Sequence, residues 1–203
     1  MAIRALFWDI GGVLLTNAWD RLERDQAIAR FELDAADFQD RHEMLVSSFE
    51  RGKIGLDEYL ERTVFYRERP FTIGQFKEYM YSRSQPLRES LAFARKVAAT
   101  GRYLMSSINN ESADLNKYRI DRFQLREVFD VFVSSCYVGL RKPEEGIYRL
   151  AMDITQCDPV ECCFIDDRPL NLDAAKALGM RTIRMVNTDQ LQKDLATLGV
   201  KID

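Results

Sequence analysis

Five short apolar runs, separated by segments with helical periodicity, constrain the fold of this chain more than any other feature. The runs occupy residues 3–8, 103–105, 131–133, 162–165 and 182–186. Helical patterns lie between the later runs, at about residues 86–101, from Pro143 onward, and at residues 171–178. The first of these has proline at its entrance and glycine at its exit, which is typical of helix boundaries. Strands that alternate with helices predict an α/β fold with a mostly parallel sheet.

Polar side chains follow these apolar runs at four places. They are Asp9 with the glycine turn 11–12, Ser107, Lys142 before Pro143, and the pair Asp166-Asp167. In an open α/β sheet the carboxyl ends of the strands border one crevice, where ligands bind. The glycines also let backbone N–H groups approach a bound molecule closely. We therefore expect these side chains to converge on a single site.

The stretch from residue 16 to residue 85 has a different pattern. It is rich in charged and aromatic residues and contains no convincing buried strand, but its apolar side chains recur at helical spacing. Gly52, Gly55, Pro70 and Gly74 divide it into pieces. We predict a core domain formed by residues 1–15 and 86–203, and a helical cap domain formed by residues 16–85. The alternative is that these helices simply flank the sheet.

Charge and apolar content exclude some classes of partner. The net charge is −3, from 29 basic and 32 acidic residues, and no basic stripe stands out. This argues against nucleic acid or an anionic membrane as partner. The first residues lead directly into a predicted strand, and no apolar run reaches the roughly 20 residues that a spanning helix needs. We expect a cytoplasmic protein without a signal peptide. The sequence gives no indication of its oligomeric state.

Cysteine and histidine usage narrows the chemistry. The four cysteines have no metal-ligand spacing with a partner cluster, and His42 is the sole histidine. A zinc site and a Ser-His-Asp or Cys-His mechanism are therefore poorly supported. Cys162 and Cys163 are expected to be strand residues that pack as small hydrophobes, and His42 to be a structural residue of the cap. Acid–base and nucleophilic work then falls mainly to carboxylates and lysine.

Taken together, four segments resemble the motifs of the haloacid dehalogenase-like hydrolase superfamily, in order and in spacing. They are Asp9-Ile10-Gly11-Gly12-Val13, Ser107, Lys142-Pro143 and Asp166-Asp167. The branch they resemble holds sugar-phosphate phosphatases and the phosphatase domains of epoxide hydrolases. The resemblance covers essentially the whole chain. It implies a Rossmann-like parallel sheet core with an inserted α-helical cap domain. The implied substrate is a small phosphorylated metabolite, with a sugar phosphate as one candidate.

The resemblance also implies a Mg²⁺ site and a covalent mechanism. Asp9 would bind the metal with one carboxylate oxygen and attack phosphorus with the other, forming an aspartyl-phosphate. Gly11 would contribute its backbone carbonyl, Asp167 a direct carboxylate ligand, and Asp166 a contact through water. A cation is needed because an ionised Asp9 would repel the negatively charged phosphate of the substrate. Two like unit charges 4 Å apart at an effective dielectric near 20 repel by about 4 kcal/mol. Mg²⁺ prefers oxygen ligands of this kind.

The phosphoryl group would be held by three further groups. By resemblance, Lys142 neutralises its charge and holds the nucleophile, while Ser107 and the N–H of Ile108 bind its oxygens. Ser106 competes with Ser107 for this role. We favour Ser107 because the strand is expected to end before it. In-line phosphoryl transfer depends mainly on positioning and charge stabilisation of this kind.

The sequence departs from the superfamily pattern at two positions. Most phosphatases of the superfamily carry a second Asp two residues after the nucleophile, where this chain has Gly11. That Asp serves as general acid and base, a contribution of roughly 10²–10⁴-fold in rate. Ile108 stands where the branch often has Asn. A catalytically weak or inactive phosphate-binding module is therefore the alternative function.

Two other activities of the superfamily fit the sequence less well. A dehalogenase would attack carbon without a metal and would not need Asp166 and Asp167 as ligands. A phosphonate hydrolase would need a cap lysine as a Schiff base. The predicted cap contains Lys53 and Lys77, with no specific pattern around either.

Overall fold

The computed structural model describes residues 2–202 and contains a five-stranded parallel sheet. The strands are β1 (Ala5–Trp8), β2 (Leu104–Asn109), β3 (Val131–Ser134), β4 (Cys162–Asp166) and β5 (Arg181–Arg184). Their order across the sheet is β3-β2-β1-β4-β5. Since every neighbouring pair is parallel, the predicted α/β fold with a Rossmann-like parallel sheet is confirmed.

Ten α-helices accompany the sheet within residues 2–202. They are α1 (Arg21–Arg30), α2 (Ala35–Glu50), α3 (Leu56–Thr63), α4 (Ile73–Ser82), α5 (Arg88–Ala99), α6 (Ala113–Arg122), α7 (Ser135–Val138), α8 (Glu145–Thr155), α9 (Pro169–Ala177) and α10 (Thr188–Thr197). Local sequence explains several of their starts. Asp20 caps α1, and Thr72 with Gln75 forms a capping box at α4, which satisfies N–H groups that lack helical partners.

The sheet is buried on both faces, as its unbroken apolar strands require. Successive residues of β1 alternate between two hydrophobic clusters. Leu6 and Trp8 pack on one face of the sheet, and Ala5 and Phe7 on the other, all fully buried. This packing fixes the register of β1 between β2 and β4, where Trp8 lies opposite Ser107 and Ile165. The carboxyl ends of these three strands therefore meet at one edge.

Helices α1–α4 form a third hydrophobic cluster. Phe38, Tyr59 and Phe76 lie in its interior, and Leu115 of α6 joins it from outside the 16–85 segment. No strand of the sheet lies within residues 16–85, all of which the structure describes. Leu15 and Pro86, which flank this segment on either side, form an isolated antiparallel bridge. These features support our proposal that residues 16–85 form a cap domain on a core of residues 1–15 and 86–203.

The second strand is longer than the sequence predicts. The apolar run ends at residue 105, but β2 continues through Ser106 and Ser107 to Asn109. The expectation that the strand ends before Ser107 is therefore wrong. The reason is that β2 lies between β1 and β3, and both neighbours pair with it beyond the apolar run. Polar side chains do not end a strand whose backbone groups still find partners.

Other element boundaries differ from the predicted ones by one or two residues, and two ten-residue helices were not predicted. The helix expected to begin at Pro143 begins at Glu145, with Glu144 as its N-cap. The last strand ends at Arg184 rather than at residue 186. Sequence periodicity did not identify α6 or α10.

Among residues 2–202, every helix is too short or too polar to traverse a lipid bilayer.

Candidate active site

Asp9 lies immediately after β1, at the floor of a cavity of about 710 Å³. Its backbone N–H donates to the carbonyl of Ile165 at 2.8 Å, which extends the pairing of β1 with β4 by one residue. Asp9 is 8% exposed, and its Oδ1 accepts a hydrogen bond from the N–H of Ile10 at 2.8 Å. The strand thus delivers one nearly buried carboxylate to the cavity.

Lys142 joins two of the predicted acids. Its Nζ lies 2.9 Å from Asp9 Oδ2 and 2.7 Å from Asp166 Oδ2. The backbone of Lys142 is held in turn by Asn110, whose Oδ1 accepts from its N–H and whose Nδ2 donates to its carbonyl, at 2.8 and 2.9 Å. Asn110 also lines the cavity. Local sequence does not predict this contact, because it joins residues 32 positions apart.

The two adjacent acids after β4 have different environments. Asp166 is fully buried, and its oxygens accept hydrogen bonds from Lys142, from Asn171 Nδ2 at 3.0 and 3.1 Å, and from the N–H of Arg168 at 2.8 Å. Asp167 is partly exposed, and its Oδ1 has no hydrogen-bond partner within residues 2–202. Asp166 is therefore occupied by protein donors, whereas Asp167 retains a free oxygen.

Asp9, Asp166 and Asp167 form one acidic cluster. Each offers a carboxylate oxygen, and these atoms lie within 4.8 Å of one another. Burial raises the pKa of Asp9 to about 7, against the opposing charge of Lys142. Burial and the charge of Asp166 likewise raise the pKa of Asp167. Burial alone would lower the pKa of Lys142, but Asp9 and Asp166 raise it, so the ammonium stays charged. A cation among these acids would relieve their mutual repulsion, so the three residues could hold a metal ion.

The glycine turn after Asp9 leaves room for this cluster. Gly12 has a φ of +74°, in the left-handed region, and a Cβ there would lie 2.4 Å from Asp167 Oδ2. Only glycine fits this position without displacing the carboxylate. At Gly11, a Cβ would lie 2.7 Å from Asn17 Oδ1 and 3.6 Å from Arg119 Nη1. The space beside Gly11 is thus filled by side chains from other segments.

Ser107 and Ile108 lie inside β2 and are fully buried. Neither is among the residues that line the cavity, whereas Asn110 and Glu111, just beyond the strand, are. Ser107 Oγ has no hydrogen-bond partner among the described residues. Ser106 is also buried, and its Oγ lies 3.4 Å from the carbonyl of Ser107. The structure thus brings Asp9, Lys142, Asp166 and Asp167 together, whereas Ser107 and Ile108 are buried near the end of β2 and Ser107 Oγ is left without a partner among the described residues.

The helical segment forms the opposite wall of the cavity. Trp19, His42, Phe49 and Glu50 line it, and Glu50 pairs with Arg141 of the core at 2.8 Å. Burial lowers the pKa of His42 to about 4, and its Nδ1 lies 2.7 Å from the hydroxyl of Tyr59. The His42 imidazole is therefore neutral near pH 7 and is bonded within the helical segment.

Neither lysine of the helical segment is placed for Schiff-base chemistry. Lys53 and Lys77 are both absent from the described cavity lining, and Lys77 forms an ion pair with Asp57 on the same segment. A phosphonate hydrolase mechanism through a cap lysine therefore has no candidate residue in this cavity.

A family model described as haloacid dehalogenase-like hydrolase matches residues 3–179. Flavin mononucleotide hydrolase 1 of Arabidopsis thaliana is 31% identical over 165 residues, which cover 80% of this chain and 65% of that protein. Bifunctional epoxide hydrolase 2 of Sus scrofa is 26% identical over 213 residues, covering 96% of this chain and 38% of the relative. The chain thus spans less than two thirds of the length of each of these relatives.

The fold is shared with solved structures. A HAD family enzyme of Bacteroides thetaiotaomicron, crystallised with magnesium and inorganic phosphate, superposes with a TM-score of 0.74 at 22% sequence identity. The match covers 91% of this chain and 95% of that one. The similarity therefore includes the helical segment as well as the sheet.

Proposed function

Since this chain belongs to the haloacid dehalogenase-like hydrolase family, we propose that it is a Mg²⁺-dependent phosphatase of a small phosphorylated metabolite. A sugar phosphate is one candidate substrate. The observation that carries the proposal is the cluster of Asp9, Asp166 and Asp167, closed by Lys142, at the carboxyl edge of the sheet. A dehalogenase that attacks carbon without a metal would not need three acids in one cluster.

The residues of the cluster fit a hard divalent cation. Asp167 has a carboxylate oxygen without a partner among the described residues, and carboxylate oxygens are the ligands that Mg²⁺ prefers. We propose that Asp9 and Asp167 bind the ion directly, with the carbonyl of Gly11. Asp166 would act through water, because protein donors already occupy both its oxygens. When bound, the ion would offset the negative charge of the phosphoryl group.

Asp9 is the proposed nucleophile. One of its oxygens would attack phosphorus in line with the ester oxygen, so that an aspartyl-phosphate forms as the ester bond breaks. Lys142 would hold Asp9 in place and neutralise the transferring group, a role suited to a buried ammonium 2.9 Å from the nucleophile. We propose that Ser107 and the N–H of Ile108 bind phosphoryl oxygens. Water would then attack phosphorus and release Asp9 and inorganic phosphate.

The experiment is phosphate release from a panel of monoesters, with Mg²⁺ and with EDTA. The panel includes 4-nitrophenyl phosphate, hexose phosphates and flavin mononucleotide, since a relative is named as a hydrolase of that nucleotide. We expect Mg²⁺-dependent turnover that Asp9→Asn abolishes. The matched control is Asp173→Asn, on the exposed face of α9. Turnover that survives both Asp9→Asn and EDTA would overturn the proposal.

A second candidate function is a phosphate-binding module that does not turn over. The absence of a carboxylate at Gly11 favours it, because no side chain at that position can transfer a proton. Trapping with beryllium fluoride as a phosphoryl mimic separates the two functions. A Mg²⁺-dependent mimic complex without turnover of any monoester would indicate the module, and multiple turnovers would exclude it.

Location and partners complete the proposal. We propose that the protein acts in the cytoplasm on a free small molecule, without nucleic acid or membrane as partner. The name of the plant relative places that protein in the chloroplast. A fluorescent fusion imaged in the source cells would decide between an organelle and the cytoplasm.

A further inference from the structure

We propose that the side-chain amide of Asn17 replaces the second Asp that this chain lacks, by donating a hydrogen bond to the leaving oxygen of the substrate. The inference rests on the proposed phosphatase function. Its starting point is a distance: Asn17 Oδ1 lies 2.7 Å from the place where residue 11 would carry its Cβ. That separation is close to the one between Cβ and the carboxylate oxygens within an aspartate. The Asn17 amide oxygen therefore occupies the space that a side chain at residue 11 would fill, and the Nδ2 donor is bonded to the same carbon.

Asn17 also shares a cavity with the proposed reacting groups. It lines the same cavity as Asp9, Gly11 and Lys142. Its side chain makes no hydrogen bond within residues 2–202 that would occupy the amide. A primary amide carries two N–H donors and an oxygen acceptor. Asn17 thus has free donors in the cavity that Asp9 also lines.

The neighbouring guanidinium is held by contacts from all three of its nitrogens. Arg119 Nη1 lies 3.6 Å from the same Cβ position, but Nη1 donates to Glu111 at 2.9 Å and Nε donates to Ser84 at 3.2 Å. Its Nη2 donates to the carbonyl of Thr16. Arg119 is 3% exposed and its charge is matched by Glu111. It acts as a fixed support for the chain that carries Asn17.

The support holds Asn17 at the start of the helical segment. Thr16, the preceding residue, donates its N–H to the carbonyl of Gln85 at 2.8 Å and its hydroxyl to the carbonyl of Arg83 at 2.6 Å. With the bond from Arg119, the backbone before Asn17 is held both by residues 83–85, at the end of the helical segment, and by α6. A donor on a fixed backbone needs little reorganisation when charge develops on the substrate.

The chemistry of an amide differs from that of a carboxylic acid. As Asp9 attacks phosphorus, the ester bond breaks and its electron pair passes to the leaving oxygen. The Asn17 N–H stabilises this developing charge but keeps its own proton, so the leaving oxygen takes a proton from water. Esters with acidic leaving groups need such help less than alkyl esters do. The loss of rate on removing the Asn17 amide should therefore increase with the basicity of the leaving group.

The test compares Asn17→Ala with wild type on 4-nitrophenyl phosphate and on glycerol 3-phosphate. We expect kcat/KM to fall about tenfold or more for the alkyl ester, as for loss of a hydrogen bond to developing charge. The aryl ester should lose less than about threefold, and this retained activity also reports a folded protein. The control Gln26→Ala removes an exposed amide of α1 and should change neither rate. Equal losses on both esters would overturn the inference.

A second variant tests the assignment by substitution. Gly11→Asp with Asn17→Gly frees the space and installs a carboxylic acid in it. We expect this double variant to hydrolyse the alkyl ester faster than Asn17→Gly alone. Equal rates would contradict the inference. If wild type hydrolyses no monoester, the proposed function itself fails; if wild type turns over and Asn17 variants lose both esters equally, the Asn17 inference alone fails.

Discussion

Lys142 Nζ donates to Asp166 Oδ2 at 2.7 Å, in a position where neither side chain reaches solvent. The same ammonium contacts Asp9 at 2.9 Å, so one lysine compensates two buried acids. Breaking a buried ion pair by removing one partner leaves an uncompensated charge, which is costly. The contact therefore links the stability of the fold to the chemistry of the site.

Lys142→Met should lose both activity and stability. Methionine keeps the length of the side chain but leaves Asp9 and Asp166 without a counter-charge, so we expect the free energy of unfolding to fall by about 3–5 kcal/mol. Urea denaturation measures it. Lys176→Met, on the exposed surface of α9, is the control. An unchanged urea midpoint in Lys142→Met would refute the compensating role.

Asp167→Asn should weaken metal binding more than folding. The carboxylate oxygen that has no partner among the described residues is lost, whereas the hydrogen bonds of Asp166 remain. A ligand that binds only the folded state raises the melting temperature, so Mg²⁺ should raise the Tm of wild type and have little effect on the variant. Differential scanning calorimetry with and without Mg²⁺ checks this. Equal Mg²⁺-induced shifts in the two proteins would exclude Asp167 as a ligand.

Gly12→Ala should disrupt the site through a specific clash. Its Cβ would lie 2.4 Å from Asp167 Oδ2, at a φ of +74°. Gly101→Ala is a matched control, because Gly101 has a φ of +62° and a Cβ there meets nothing within 4 Å. Both variants should lose about 1–2 kcal/mol of stability from backbone strain. Only Gly12→Ala should also lose Mg²⁺ binding and turnover by a large factor. Similar Mg²⁺ affinities in the two variants would contradict the close contact.

His42→Gln should make the protein less sensitive to acid. Burial lowers the pKa of His42 from 6.5 to about 4, so the unfolded chain takes up this proton near pH 6.5 and the folded chain only near pH 4. The contribution of neutral His42 to stability is therefore complete above pH 6.5 and is lost as the pH falls towards 4. Urea denaturation at pH 7.5 and pH 5 should show a smaller difference for His42→Gln than for wild type. Identical differences would show that His42 does not titrate in this window.

Much of the fold and part of the site could be predicted from the sequence. Runs such as residues 162–165 are short and apolar, so local composition alone identifies them as buried strands. Asp9, Lys142, Asp166 and Asp167 stand just after such runs or before a helix. Parallel strands place their carboxyl ends at one edge, so these residues had to meet there.

The length of β2 could not be predicted in this way. Its backbone finds partners in β1 up to Ser107 and in β3 up to Asn109, but this pairing depends on strands far away in the chain. For the same reason the sequence did not show that Ser107 lies within the sheet, or that Asn110 holds the backbone of Lys142.

Local spacing of apolar and polar residues is enough to predict the alternation of strands and helices and the acids at the strand ends. It does not predict which of two adjacent acids keeps a free oxygen, or which side chain fills the space beside Gly11. Those outcomes depend on the packing of Asn171 against Asp166 and of Asn17 against the turn after β1. Contacts between segments distant in the chain leave no periodic pattern in the sequence.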